Sequence, residues 1–369
     1  MSTVISPNSP DSPELLRIRE QISDAVSSGR LLNICGGGTK SFYGEPAQGD
    51  VLDVSAYSGI ASYEPTELVI TARAGTRLSE VQAVLAEQGQ MLPFEPPSFG
   101  AESTIGGVIS AGLSGPRRAS AGSARDYVLG ASLVNSSGEW LAFGGQVMKN
   151  VAGYDVSRLL CGSMGILGVI AEVSLKVLPL PAQERSMQMP MGSVDAIRLA
   201  NTLAGKPIPI SATAWRDGVF SVRLSGAGSA VDRACDFLRS NHEATDMPDA
   251  ARFWAGLRDH TDLFFGLSGH EQALWRLSVP GTAASSDLPG QQLIEWLGAQ
   301  RWLRTDAPSE AVRAAAVAVG GSAALFRGGD RSGGVFAPLS APLLQIHKRL
   351  KAELDPHGVF NPGRLYPGL

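Results

Sequence analysis

The stretch "NICGGGTKSFYG" (residues 33–44) places three consecutive glycines before Thr39, Lys40 and Ser41. Glycine, lysine and hydroxyl residues at close quarters point to a phosphate site. A P-loop requires G-x-x-x-x-G-K-[ST], with backbone amides around a triphosphate. Here Thr39 stands where the second glycine belongs, and Ile34 where the first does. A Rossmann G-x-G-x-x-G anchored on Gly36 and Gly38 fails as well, because its third glycine position is Ser41. Two readings remain. The apolar run LLNIC either feeds a glycine turn whose exposed amides wrap an anion, or leads into a plain tight turn between strands.

The 369 residues are 44% apolar and 18% charged, a balance that suits a globular protein of two domains or one two-lobed body. A net charge of -4 leaves no basic excess for a nucleic-acid partner. The three cysteines, Cys35, Cys161 and Cys235, are widely spaced and form no C-x-x-C pair, so common iron–sulfur and zinc sites are excluded and no metal is expected. The opening MSTVISPNSPDSP lacks the basic start and apolar core of a signal peptide and reads as a flexible leader over residues 1–12. The apolar AAAVAVGGSAALF after Arg313 is too short to span a bilayer.

Helical spacing of Leu15, Leu16, Ile18, Ile22, Ala25 and Val26 follows a capping Ser12. LLNIC, VLDVS and ELVITARAG read as strands, and Leu78, Val81, Val84 and Leu85 mark a helix that stops at Gly89. YVLGASLVN, SSGE and WLAFG form a hairpin, VSRLLCG a short helix, and GILGVIAEVSLKVLPLP a strand ended by prolines. The proline-flanked PLPAQERSMQMPMG reads as a domain boundary. Beyond it VFSVRLSG and LWRLSVPG read as strands and SAVDRACDFLRS as a helix, an α+β pattern. The tail carries an amphipathic helix broken at Asp355-Pro356. Three glycine-dense stretches precede residue 170: GGGT, STIGG with Gly112 and Gly115, and GSMGILG. Repeating such a device suits a long ligand with a pyrophosphate, approached by backbone from several sides. The helix read in TIGGVISAGLSG is expected to aim its N-terminal amides at an anion.

In order, GGGT, Pro97-x₅-STIGG, GYDVSRLLCGSMGILGVI (Gly153 to Ile170) and DPHGVFNPG resemble the vanillyl-alcohol-oxidase, or PCMH-type, FAD-binding family. More narrowly, GGGTKSFYG, SGPRR, RDYVLG and GGQVMKNVAGYDVSRLLCG resemble the FAD-binding E subunits of bacterial glycolate oxidases (glycolate dehydrogenases). The resemblance covers residues 15 to 182 and resumes near 340. It implies an α+β chain: a two-lobed PCMH-type FAD-binding domain over 13–183, an α+β cap over 184–340, and a C-terminal segment, 341–369, returning to the FAD domain. It also implies that Gly36, Gly37, Gly38 and Thr39 wrap the pyrophosphate, with Lys40 adding charge. Pro97, Ser103, Thr104, Ile105, Gly106 and Gly107 would form the second loop. Gly162, Gly168 and Ile170 would meet the adenosine or ribityl portion, and Asn361 would lie near the ring end.

Larger members carry Arg before the triple glycine, where this chain has Cys35. Some relatives attach FAD through His or Cys. The first histidine here is His242, and family motifs put no attachment at Cys161, so non-covalent FAD is expected. The resemblance further implies a larger catalytic FAD subunit and an iron–sulfur subunit as partners, and a place in the cytoplasm or, through those partners, on the inner face of the membrane.

Oxidising a small 2-hydroxy acid needs a cation for the carboxylate and a base for the hydroxyl proton. Arg327 in AALFRGG and Arg304 in RWLRTD are candidate clamps. No base is legible. The H-x-G-D-G-N-x-H motif of the catalytic sister subunit is absent, the five histidines are scattered, and His347 and His357 read as solvent-facing. Three functions therefore stay open: an FAD-binding subunit of a complex oxidising glycolate to glyoxylate, a non-catalytic structural partner of the catalytic flavin subunit, or a stand-alone FAD-dependent hydroxy-acid or alcohol oxidase. The Trp-bearing stretch Arg252 to Phe265 is a candidate partner face or cap core.

Overall fold

A computed structural model describes residues 12–145, 155–266, 272–285 and 287–369. Most of the leader, the Gly153-Tyr154 start of the third motif and His270 lie outside the described residues.

The chain opens on the helix Pro13–Ser27. Ser12 caps it by accepting from the Leu15 amide, and Pro13 sits at the first helical position. Its Leu15, Ile18, Ile22 and Ala25 form one buried stripe against Leu32, Leu52, Val54 and Phe360. The strand Leu32–Cys35 pairs in parallel with Asp50–Asp53, and the glycine loop leaves its end. Beside this pair stands a five-stranded antiparallel sheet, in spatial order Ile60–Glu64, Val69–Arg73, Val169–Lys176, Val128–Val134 and Trp140–Gly144. Its central strand Val169–Lys176 is covered on both faces, which explains an apolar run without alternation. Helices Leu78–Glu87 and Ile105–Ala111 contribute to the core at that sheet.

A second, eight-stranded antiparallel sheet runs from Gln183 to Arg327 and is built from two similar halves. The first half is strand Gln183–Pro190, helix Ser193–Ala204, strands Ile210–Arg216 and Val219–Gly226, helix Gly228–His242 and strand Thr245–Asp246. In space its strands lie in the order fourth, first, third, second, the ferredoxin-like arrangement. The second half, strands Ala273–Ser278, Gln291–Glu295, Gln300–Thr305 and Ser322–Arg327, repeats that order as a mirror sequence. The halves join through their second strands, with Ala214 opposite Glu295. Its one described crossover helix, Ser309–Ala318, spans the third and fourth strands. Between the first and second strands the Gly/Pro/Ser-rich residues 279–290 carry no helix among the described residues.

Strand alternation sorts this sheet into two faces. Met187, Met189, Phe220, Val222 and Leu224 face helices Ser193–Ala204 and Gly228–His242, while Trp275, Leu277, Leu303 and Leu325 face Ser309–Ala318. The other face presents Ala212, Ala214, Leu274, Leu293, Trp302 and Phe326 to Tyr43, Ala111, Leu113 and Met164 of the first body. PLPAQERSMQMPMG contains the full strand Gln183–Pro190, whose Met187 and Met189 alternate into the cap core. Of the two readings of the stretch Arg252 to Phe265, partner face or cap core, its packing is that of the core. Trp254, Leu257, Phe264 and Phe265 are buried between sheet and first body, and Trp254 Nε1 donates to Ser186 Oγ.

The tail returns to the first body through helix Ala341–Leu354 and the turn after it. Lys351 Nζ, buried, donates to Asp355 Oδ2 at 2.9 Å and to the carbonyls of Ile166 and Phe360. Asp355 accepts the amides of Val359 and Phe360, and Leu32 bridges Phe360 in parallel.

Candidate functional site: a glycine-loop cleft beside a cationic cavity

The first site grows from the end of strand Leu32–Cys35. Residues 36–41 leave the sheet over the 98–107 loop and border a solvent-open cleft of about 130 Å³. Its walls include Gly36 to Ser41, Thr104, Gly107, Ser110, Gly165 and Asn361. The glycines have two distinct reasons. A Cβ on Gly37 would stand 1.4 Å from the Glu102 carbonyl oxygen, and one on Gly36 2.5 Å from Thr104 Oγ1, so both are glycine because two protein loops meet there. Gly38, at φ +66°, is glycine because the turn is left-handed. The amides of Gly36, Gly37, Thr39 and Lys40 find no partner among the described residues. Four free donors on one short loop are an anion cradle.

The helix Ile105–Ala111 does not add to that cradle in the expected way. The amides of Ile105 and Gly106 are already taken by the carbonyls of Thr76 and Ala74, and that of Gly107 by Thr104 Oγ1, its own N-cap. Helix–sheet packing consumes them, since a Cβ on Gly106 would stand 2.6 Å from Ala74 Cβ.

Lys40 is half-buried rather than a free loop lysine. Its Nζ donates to Ser103 Oγ at 2.7 Å and to Ser98 O and Thr39 Oγ1, both at 3.2 Å, and so staples the glycine loop to the second loop. Burial pulls its pKa down to about 8, against the opposing pull of Asp259. Asn361 lies in this cleft, at the tail's return. Its Oδ1 accepts the Ile34 amide at 2.7 Å and its Nδ2 donates to Met164 O at 2.6 Å, so the side chain holds the strand and the 162–168 loop together. Gly168 and Ile170 lie behind the cleft rather than on its walls. Gly168 has φ +143° and Ile170 is buried in strand Val169–Lys176. Gly162, at φ +85°, turns the chain beside Gly112. Burial pushes the Cys161 thiol up to about 12, which keeps it protonated and unreactive.

A second, narrower cavity of about 20 Å³, room for about one water, lies between the 97–116 segment and the inner face of the eight-stranded sheet, and Pro97 belongs to its wall. Alternation along Ala273–Ser278 and Gln300–Thr305 brings Arg276 opposite Trp302, and both line the cavity with Phe99, His260, Glu295, Gln300 and Phe326. His260 ends helix Ala250–Asp259 in a left-handed conformation and stacks on Phe265 with ring centroids 3.8 Å apart. Its Nδ1 is buried without a hydrogen-bond partner among the described residues. Burial first, then the nearby Arg327 and Arg276, hold its pKa well below 6.5, so the ring is neutral. Glu295 accepts from Trp302 Nε1 and Gln300 Nε2, and burial pushes its carboxyl up to about 7.

Three cations border this region without an ion-pair partner among the described residues: Lys40, Arg276 and Arg327. Arg276 Nε donates to Gln300 Oε1, and Arg327 lies over the Phe42 ring at 4.1 Å. Of the two arginines expected as clamps, Arg327 lies near His260 but lines neither the cleft nor the cavity. Nor does Arg304, because its guanidinium is tied to Phe264 O, Gln291 and Gln272 inside the cap. Sequence reading missed His260, Arg276 and Glu295. The one usable signal was Arg276 in LWRLS, an arginine sharing the inward face with Leu274. His260 carries none, since only tertiary packing closes four aromatic rings around it.

Residues 14–144 match the FAD binding domain family. The chain is 46% identical to the glycolate oxidase subunit GlcE of Escherichia coli (strain K12) over 350 residues, 95% of this chain and 97% of that protein. It is 32% identical to the glycolate oxidase subunit GlcD of Bacillus subtilis (strain 168) over 56% of this chain and 43% of that protein. A D-lactate dehydrogenase of Anaerostipes hadrus is 30% identical over 40% of this chain and 30% of that protein. Among solved structures, alkyldihydroxyacetonephosphate synthase superposes with a TM-score of 0.66 at 16% identity, over 94% of this chain and 74% of that one, a likeness of fold. No helix among the described residues is long and apolar enough to cross a membrane.

Proposed function

This chain belongs to the family of the glycolate oxidase subunit GlcE, FAD-dependent oxidoreductases, and on that premise we propose that it is the FAD-binding subunit of a complex oxidising glycolate to glyoxylate. The observation that carries the reading is the cluster of unpaired amides at Gly36, Gly37, Thr39 and Lys40 over the glycine-loop cleft. They suit the diphosphate of FAD, which is long, anionic and needs donors rather than a side-chain clamp. FAD, when bound, supplies the two-electron acceptor. The chain's own residues do the rest. Gly38 gives the loop its left-handed turn, and Lys40, through Ser103, fixes the second loop (Pro97, Ser103, Thr104, Ile105, Gly106, Gly107) against the first. Gly162, Gly168 and Ile170 back the cleft behind the adenosine or ribityl portion. Asn361 anchors the tail beside the loop, on the cleft wall near the ring end.

We assign FAD binding to 13–183 together with 341–369, and the cap to 184–340. A GlcD-like flavin subunit is the first partner, and an iron–sulfur subunit the second. The three cysteines of this chain, Cys35, Cys161 and Cys235, lie far apart in sequence, so one-electron carriers come from elsewhere. Any membrane contact is made through those partners. The test is to purify the chain, record its visible spectrum, and heat-denature it. The expected result is an oxidised flavin spectrum whose chromophore leaves with the supernatant, as non-covalent FAD does. A chain that remains colourless after incubation with FAD overturns the reading.

A further inference from the structure

The segment that follows the glycine loop, residues 41–45, gives each of its carbonyls to an arginine. Arg364 Nη2 donates to Ser41 O at 2.7 Å and to Tyr43 O at 2.6 Å, and its Nη1 donates to Glu45 O. Arg331 takes the alternate carbonyls, with Nη2 on Phe42 O at 2.8 Å and Nη1 on Gly44 O at 3.0 Å. The two come from opposite parts of the chain. Arg364 belongs to the tail, just after Asn361, and Arg331 to the cap loop that follows strand Ser322–Arg327. Glu45 closes the arrangement: its amide donates to Arg364 O at 3.0 Å, and its Oε1 accepts the Val335 amide of the cap loop at 2.6 Å.

This bracket reaches the glycine loop through the backbone. The amides of Ser41 and Tyr43, whose carbonyls Arg364 holds, donate to the carbonyls of Gly38 and Lys40. In a planar trans peptide the N–H points opposite to the C=O. With Gly38 O bonded to Ser41, the Thr39 amide of the same peptide therefore points away from that bond and stays a free donor. Placing two guanidiniums side by side is costly. Arg364 is buried, and burial, then the charge of Arg331, draw its pKa down against the pull of Glu45. The resulting positive charge stands at the cleft, whose wall Arg364 shares with Ser41.

We propose that Arg364 and Arg331 are positioning residues for the cofactor: by bracketing the carbonyls of 41–45 they set the glycine loop for the diphosphate, and FAD affinity thereby depends on the cap loop. The inference rests on the FAD-subunit reading for its ligand, and adds that the cap takes part in holding it. By linkage, bound FAD steadies the cap loop in return.

The test strips the full chain of FAD and titrates FAD back, following flavin fluorescence, with the bound diphosphate observed by phosphorus NMR. Arg331→Ala should raise the dissociation constant by on the order of tenfold and shift the diphosphate resonances. Arg331→Lys keeps the charge but cannot fork onto two carbonyls, so it should recover only part of the affinity. Arg364→Gln should weaken FAD further. Arg331, half-buried on a loop, decides the matter alone if the Arg364 variant misfolds. In the wild type FAD should also slow amide exchange across residues 328–335, and Arg331→Ala should abolish that protection. A folded Arg331→Ala chain with wild-type affinity overturns the proposal. So does a weaker-binding variant whose diphosphate resonances stay in place, because that is general loosening and not a displaced loop. The two readings fail separately: a wild type that binds FAD beside an unaffected variant sinks this inference alone, and a wild type that never takes up FAD sinks the reading beneath it.

Discussion

Lys40 shows what one residue gains from its place in the fold. In sequence it is the lysine of a failed P-loop, and charge alone made it a phosphate ligand. In the structure its three donors are spent on Thr39, Ser98 and Ser103, so its part is to hold two loops together while lending charge to the cleft. Burial lowers its pKa to about 8. The ammonium form favours a bound diphosphate, so FAD affinity should be highest below pH 8 and fall as pH rises through 8 and the lysine loses its proton. Flavin-fluorescence titrations from pH 6.5 to 9 should show a several-fold loss, and Lys40→Met should bind more weakly at pH 7 with a flatter profile. A wild-type affinity that does not change over that range would remove Lys40 from the site. His260 is the opposite case, a residue the sequence left anonymous and packing made distinctive.

At the scale of elements, the glycine loop is defined by contact as much as by ligand. Gly37 fits only because the Glu102 carbonyl lies where its Cβ would be. Gly37→Ala should therefore push the loop off the 98–107 segment, and the purified chain should carry little or no flavin while its helix content by circular dichroism is kept. Flavin retained at wild-type occupancy would mean that the loop has room the packing denies it. The strands tell a related story about legibility. The hairpin Val128–Val134 and Trp140–Gly144, the first helix with its Ser12 cap and the strand Val169–Lys176 follow from local pattern, because propensity, turn residues and burial agree there. The strand Gln183–Pro190 hid among prolines, since its pairing partner, Val219–Gly226, lies more than thirty residues on.

Across the whole molecule, the two bodies are joined by a half-buried charge network. Glu95 of the first body pairs with Arg117 at 3.2 Å and with Arg223 of the cap at 2.8 Å, and Glu184 of the cap pairs with Arg117 at 2.7 Å. Glu95→Gln should leave Glu184 as the one carboxylate between Arg117 and Arg223, at a cost of about 2 kcal/mol. The expected signs are a lowered melting midpoint and flavin release before the main unfolding transition. An unchanged melt would show that apolar packing alone couples cap and FAD-binding body. The sequence by itself determined the cofactor class, the glycine loops and the order of most elements, because these are local: a turn needs its glycine and a strand its alternation, whatever surrounds them. It determined the family too, through motifs spread over half the chain. Only the tertiary structure decided that Arg304 is tied up inside the cap and how His260 became neutral and shielded. Those properties arise when segments hundreds of residues apart share one low-dielectric space, and no single stretch of the chain contains them.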